Sequence, residues 1–93
     1  MNIDELRQEI DGINEKLLNL FQRRMEIAEE IGRYKRERSL PVKDLERERE
    51  ILRRMREKAK PELAEYVTAL FSFLFEISSD YQNAQDHSGS TPG

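Results

Sequence analysis

Arg24, Lys35, Glu48, Ser78 and Gln82 stand out because each is polar in a register that its neighbours fill with apolar side chains. Ile3, Leu6, Ile10, Ile13, Leu17, Leu20, Ile27, Ile31 and Tyr34 recur at the 3-4 spacing of one helix face, and that spacing puts Arg24 in an aliphatic slot. A cation there needs an anion, because an unpaired buried charge is strongly unfavourable. Lys35 lies eleven residues on, close to three turns, so it projects from nearly the same face. The register of Leu45, Leu52, Met55 and Ala59 likewise gives Glu48 an apolar slot, and the stripe of Phe71 and Phe75 continues into Ser78 and Gln82, one turn apart. Two readings are open. In one, Arg24 pairs internally with Glu48 while Ser78 and Gln82 lie on a wet helix end. In the other, the cations, carboxylate, hydroxyl and amide converge between helices on a small ligand carrying carboxylates or phosphate, a common use of bundle cores.

Other chemistries are excluded by composition. The chain has no cysteine, so disulfides and thiolate metal sites are ruled out. Its one histidine, His87, falls in a polar C-terminal stretch and is given no role. Sixteen basic against nineteen acidic residues leave a net charge of -3, which gives no general attraction for nucleic acid or an acidic membrane; any anion site must be local. The opening Met1-Asn2-Ile3-Asp4-Glu5 lacks the basic and apolar regions of an export signal, and no stretch approaches membrane-spanning length. The expectation is a soluble, cytoplasmic protein.

The elements that must position these residues are helices. Charged residues make up 38% of the chain, with only 4 Gly and 3 Pro, a balance suited to long surface-charged helices and poor in turn residues for strands. Asn2 with Glu5 forms a capping-box pattern that starts a long first helix, unbroken until Ser39. Ser39-Leu40-Pro41-Val42-Lys43 reads as a loop and Asp44 as the N-cap of a second helix from about Leu45 to Ala59. Pro61 suits the first turn of a third helix, whose seam is Leu63, Val67, Leu70, Leu74, Ile77 and Tyr81. The fold class is all-α, with one long helix and two shorter ones. Residues 1–85 form one domain and residues 86–93 a flexible tail or linker remnant. At 93 residues a single chain buries little apolar surface, so oligomerisation is expected.

Leu6-Arg7 followed by Ile10-Asp11, then Arg23-Arg24-Met25-Glu26-Ile27-Ala28, Gly32 and Lys35, then Pro41-Val42-Lys43-Asp44-Leu45-Glu46-Arg47-Glu48, resembles the all-helical chorismate mutases. The segment Pro-Val-x-Asp-x-x-Arg-Glu is its most specific part, and the resemblance spans roughly residues 3 to 85. It implies an intertwined homodimeric helical bundle that converts chorismate to prephenate, a step in phenylalanine and tyrosine biosynthesis, with no cofactor and no metal. The implied substrate-binding positions are Arg7 from the partner subunit together with Arg24, Lys35, Asp44, Arg47, Glu48, Ser78 and Gln82. Arg7 and Arg24 are seventeen residues apart, about 25 Å along one helix, so a ten-carbon dicarboxylate meets both only if Arg7 comes from an antiparallel neighbour.

The implied reaction is a Claisen rearrangement, in which an ether C–O bond breaks as a C–C bond forms. Catalysis then rests on holding a compact conformer and stabilising charge on the ether oxygen. In that scheme Arg24 and the partner's Arg7 hold the two carboxylates, with Ser78 assisting on one. Lys35 and Gln82 donate to the ether oxygen, and Glu48 accepts from the substrate hydroxyl. Arg47 holds Glu48 or adds positive potential; Asp44 serves the hydroxyl, caps the second helix, or both. Two rival functions differ in their demands. An isochorismate pyruvate lyase shares this fold and its cations but lacks the carboxylates matching Asp44 and Glu48, both present here. A non-enzymatic helical interaction module needs an aliphatic seam throughout, which Arg24 interrupts.

Overall fold

The computed structural model describes residues 2–90, with side chains described as far as Gln85. It consists of three α-helices: α1 (Ile3–Glu37), α2 (Leu45–Lys58) and α3 (Ala64–Ser90), with a short 3-10 turn at Pro61–Leu63 before α3. There are no strands among the described residues, in agreement with the all-α expectation.

The Asn2 side chain accepts from the Glu5 amide at 2.9 Å, and Asp4 and Glu5 lie in the first turn of α1 where the helix dipole favours acids. The helix ends in a Schellman arrangement: the Leu40 amide returns to the Lys35 carbonyl at 2.8 Å and the Ser39 amide to Arg36 at 3.1 Å. Ser39 sits at the left-handed position with φ 54, where glycine is usual. The Asp44 carboxylate then accepts from the Arg47 amide at 3.0 Å and starts α2. Lys60, immediately before proline, is extended at ψ 138, which separates α2 from the turn that follows. The expected third helix therefore begins with a 3-10 turn at Pro61 and becomes α-helical only at Ala64. It continues to Ser90, five residues past the expected boundary at Gln85 and into the segment read as a tail. Nothing between Gln85 and Ser90 breaks a helix as a proline does; the next is Pro92.

α3 packs against α2 and against α1. Arg56 clamps α2 to the start of α3, donating to Thr68 Oγ1 at 2.6 Å and pairing with Glu65 at 2.9 Å. The N-terminal half of α1 projects beyond this contact, and every residue from Asn2 to Leu20 is exposed. The apolar stripe Ile3, Leu6, Ile10, Ile13, Leu17 and Leu20 is 41–68% exposed, and no hydrophobic side chain among the described residues is fully buried. The protomer measures 57 × 32 × 14 Å, a plate little thicker than one helix with its side chains. No described helix is long and apolar enough to cross a membrane.

Candidate active site

The C-terminal half of α1, the Val42 loop, the start of α2 and the middle of α3 enclose a cleft of about 300 Å³, within the range of small-ligand pockets. Arg24, Lys35, Asp44, Arg47, Glu48, Ser78 and Gln82 all line it. Ile27, Ala28, Ile31, Val42, Ile51 and Phe75 supply the remaining wall. Seven of the eight expected positions thus fall in one cleft. Arg7 does not: it lies on the exposed, projecting half of α1.

Arg24 reaches across from α1 to α3, its Nη1 donating to Ser78 Oγ at 2.9 Å, with the guanidinium 6.0 Å from the centre of the Phe75 ring. Burial lowers the Arg24 pKa from its ordinary value, yet a guanidinium stays charged at any working pH. The alternative of an internal Arg24–Glu48 ion pair is not realised. Arg24 is bonded to a neutral hydroxyl, and half-buried Glu48 has no side-chain partner among the described residues. Lys35 Nζ donates to the Val42 carbonyl at 3.1 Å, again a neutral acceptor. Two cations and a carboxylate therefore face one cleft without neutralising one another.

Gln82 is 9% exposed, and its Nε2 donates to the Ala28 carbonyl at 2.6 Å. That bond fixes which end of the amide carries the donors. Asp44 acts as a helix cap and lines the cleft as well. Arg47 pairs with Glu50 at 3.3 Å rather than with Glu48, so of its two expected roles the holding of Glu48 is not the one formed. Sequence reasoning missed the backbone carbonyls of Ala28 and Val42, because a carbonyl acceptor leaves no mark in the residue type. Gly32, buried beside Gln82 in the C-terminal part of α1, figured in the sequence only as part of the family resemblance, with no role of its own.

A wider hollow of about 780 Å³ lies between α1 and α3 on another face, lined by Phe21, Gln22, Met25, Glu26, Ile77, Asp80 and Tyr81. It offers no cation for an anionic ligand. Tyr81 there donates to Glu29 at 3.3 Å, and the Glu29 charge raises the phenol pKa above its ordinary value. Among the described residues no group of three or more His, Cys, Asp or Glu is placed to hold a metal ion.

Comparison with known proteins agrees with this architecture. Residues 6–83 match the family model for chorismate mutase type II. The bifunctional chorismate mutase/prephenate dehydratase of Escherichia coli is 40% identical over 81 residues, covering 85% of this chain. The chain spans only 21% of that relative's length. A chorismate mutase of Methanocaldococcus jannaschii is 36% identical over 56 residues, 60% of this chain and 57% of that one. The structure of a chorismate mutase from Thermus thermophilus superposes with a TM-score of 0.85 at 34% identity, over 89% of this chain and 96% of that chain. With the family model spanning most of the helical body, including every residue of the cleft, the chain belongs to the type II chorismate mutase family.

Proposed function

We propose that this chain is a chorismate mutase, working as a two-fold dimer in which each cleft is completed by Arg7 of the partner subunit. The observation that carries this reading is the set of unpaired charges: Arg24 and Lys35 are met only by neutral oxygens, while Glu48 stands without a cation in the same cleft. A dicarboxylate bearing a hydroxyl complements that pattern. One carboxylate lies on Arg24 with help from Ser78, and the second falls to Arg7 of the partner subunit, since Lys35 is directed to the ether oxygen and Arg47 is paired with Glu50.

The reaction needs no group to attack or be attacked. Bond breaking and bond making proceed within the substrate once its enolpyruvyl arm is folded over the ring, and double anchoring of the carboxylates selects that conformer. As the C–O bond stretches, the ether oxygen gains negative charge. Lys35 and Gln82 are held by Val42 and Ala28 before substrate arrives, so their remaining donors stabilise that charge with little reorganisation. Glu48 accepts from the ring hydroxyl, and Arg47, paired with Glu50 at the rim, contributes positive potential.

The dimer is supported by the projecting stripe of α1 and by the lack of any fully buried hydrophobic side chain among the described residues, a condition a stable fold avoids by pairing. A two-fold axis that lays the N-terminal half of one α1 along its partner brings Arg7 of the partner subunit toward the open side of the cleft. The direct test incubates the purified chain with chorismate and follows loss of its absorbance with appearance of prephenate, with isochorismate run alongside. Turnover of isochorismate with pyruvate release, and none of chorismate, would replace this reading with the lyase. Sedimentation of the same sample tests the dimer.

A further inference from the structure

Gly32 is the one fully buried residue of α1, and it lies one turn beyond Ala28. The stem of Gln82 crosses α1 at this bare position. A Cβ built on Gly32 would stand 3.1 Å from Gln82 Cγ, closer than side chains ordinarily pack, and 3.4 Å from its Cδ, in van der Waals contact. It would also stand 3.2 Å from Arg36 Nη1, but that is the far end of a flexible side chain. The Gln82 stem can give way only by shifting its amide, which is tied to the Ala28 carbonyl at 2.6 Å in a buried setting. The Ala28 carbonyl already receives the Gly32 amide within α1, so the Gln82 bond is a second one on the same oxygen.

We infer that Gly32 is a positioning residue for catalysis: its missing side chain lets Gln82 lie against α1, where the Ala28 carbonyl fixes one amide hydrogen and leaves the other for the cleft. This rests on the mutase reading in placing the ether oxygen at Gln82, whereas the packing relation itself does not. Glycine is the poorer choice for the helix, since alanine is the better helix former at an interior position. The helix therefore gains nothing from it, and the close approach of Gln82 is what it permits.

The test compares Gly32→Ala, Gln82→Ala and the double variant in the full chain. Gly32→Ala should keep its helical circular dichroism and unfold near the parent's midpoint, the helix propensity gained offsetting the overlap at Gln82. Its kcat should fall about tenfold with KM little changed, as expected for a donor displaced by a fraction of an ångström. In the Gln82→Ala background, where the clashing stem is gone, the same change should have no further effect on kcat. Independently of activity, the Gln82 side-chain amide resonances, assigned by their disappearance in Gln82→Ala, should shift in Gly32→Ala. Unchanged resonances together with unchanged kcat would overturn the inference. So would an equal loss in both backgrounds, which marks a general packing role, or rescue of Gly32→Ala by Arg36→Ala, which moves the cause to Arg36. If the parent chain leaves chorismate untouched, the mutase reading fails by itself, and the amide resonances still decide whether Gly32 positions Gln82.

Discussion

Arg7→Ala and Lys35→Ala chains, each inactive alone, should recover activity when unfolded together and refolded as a mixture. Lys35 lies in the cleft beside the Val42 carbonyl, whereas Arg7 is exposed on the projecting half of α1, about 25 Å along the helix from Arg24 at the standard rise. No bending of a side chain spans that gap, and Lys35 lies farther still, about 42 Å from Arg7 along α1, so within one protomer Arg7 cannot serve the ligand that Arg24 and Lys35 hold. In a homodimer of either variant, both clefts lack a cation. A mixed dimer contains one cleft with Lys35 from its own chain and Arg7 from the other, which is complete, and one cleft carrying both defects. Random pairing places about half of the molecules in mixed dimers, and half of their clefts are complete, so about a quarter of all clefts should work. The assay is chorismate consumption per total chain, with native mass spectrometry of tagged variants to count mixed dimers. Mixed dimers present at the expected level with no activity above the parents would refute the shared cleft. Activity from Arg7→Ala alone at parental level would do so more directly.

Arg24→Ala should lose detectable turnover yet keep its helicity, because the guanidinium is bonded to the Ser78 hydroxyl and leaves no stranded carboxylate behind; circular dichroism beside the chorismate assay checks both halves. Gln82→Glu should turn over chorismate better as pH falls, since a carboxyl donates to the ether oxygen only when protonated; a flat pH profile in an active variant would remove Gln82 from that oxygen. Ser39→Gly relieves a side chain at φ 54 and should raise stability by about 1 kcal/mol in urea denaturation with activity unchanged. The Tyr81 phenol has its pKa raised by Glu29, so the folded chain holds that proton more tightly than the unfolded one. Its contribution to stability is complete below the ordinary phenol pKa and is lost as pH rises through the folded value. Tyr81→Phe should therefore flatten the alkaline limb of a stability–pH curve.

The residues of the cleft were legible because a helix states its inward face in its spacing, and a charge in that spacing is conspicuous. Arg24 and Glu48 were both marked this way, but spacing alone could not say whether they neutralise each other. The answer depended on where Ser78 lay on another helix, and the structure puts it within 2.9 Å of Arg24. The caps at Asn2 and Asp44 were legible from residue type, since their side chains do the bonding. The end of α1 was only roughly so, because a serine occupies the left-handed position where glycine would have signalled the stop. The 3-10 turn at Pro61 escaped notice because proline fits the first turn of either helix type. The hold of Val42 on Lys35 and of Ala28 on Gln82 runs through main-chain oxygens common to every residue.

A plate 14 Å thick has two surfaces and almost no interior. In the proposed dimer, folding and pairing therefore become one transition, and the midpoint of unfolding rises with chain concentration instead of being fixed for the molecule. Dilution acts on such a chain as a denaturant acts on others. Below the pairing threshold the cleft loses the partner's arginine and the helices lose their packing together, so no long-lived inactive monomer accumulates. A short linker joining two copies would hold the local concentration constant, and the fused chain should stay folded and active at dilutions that silence the free one.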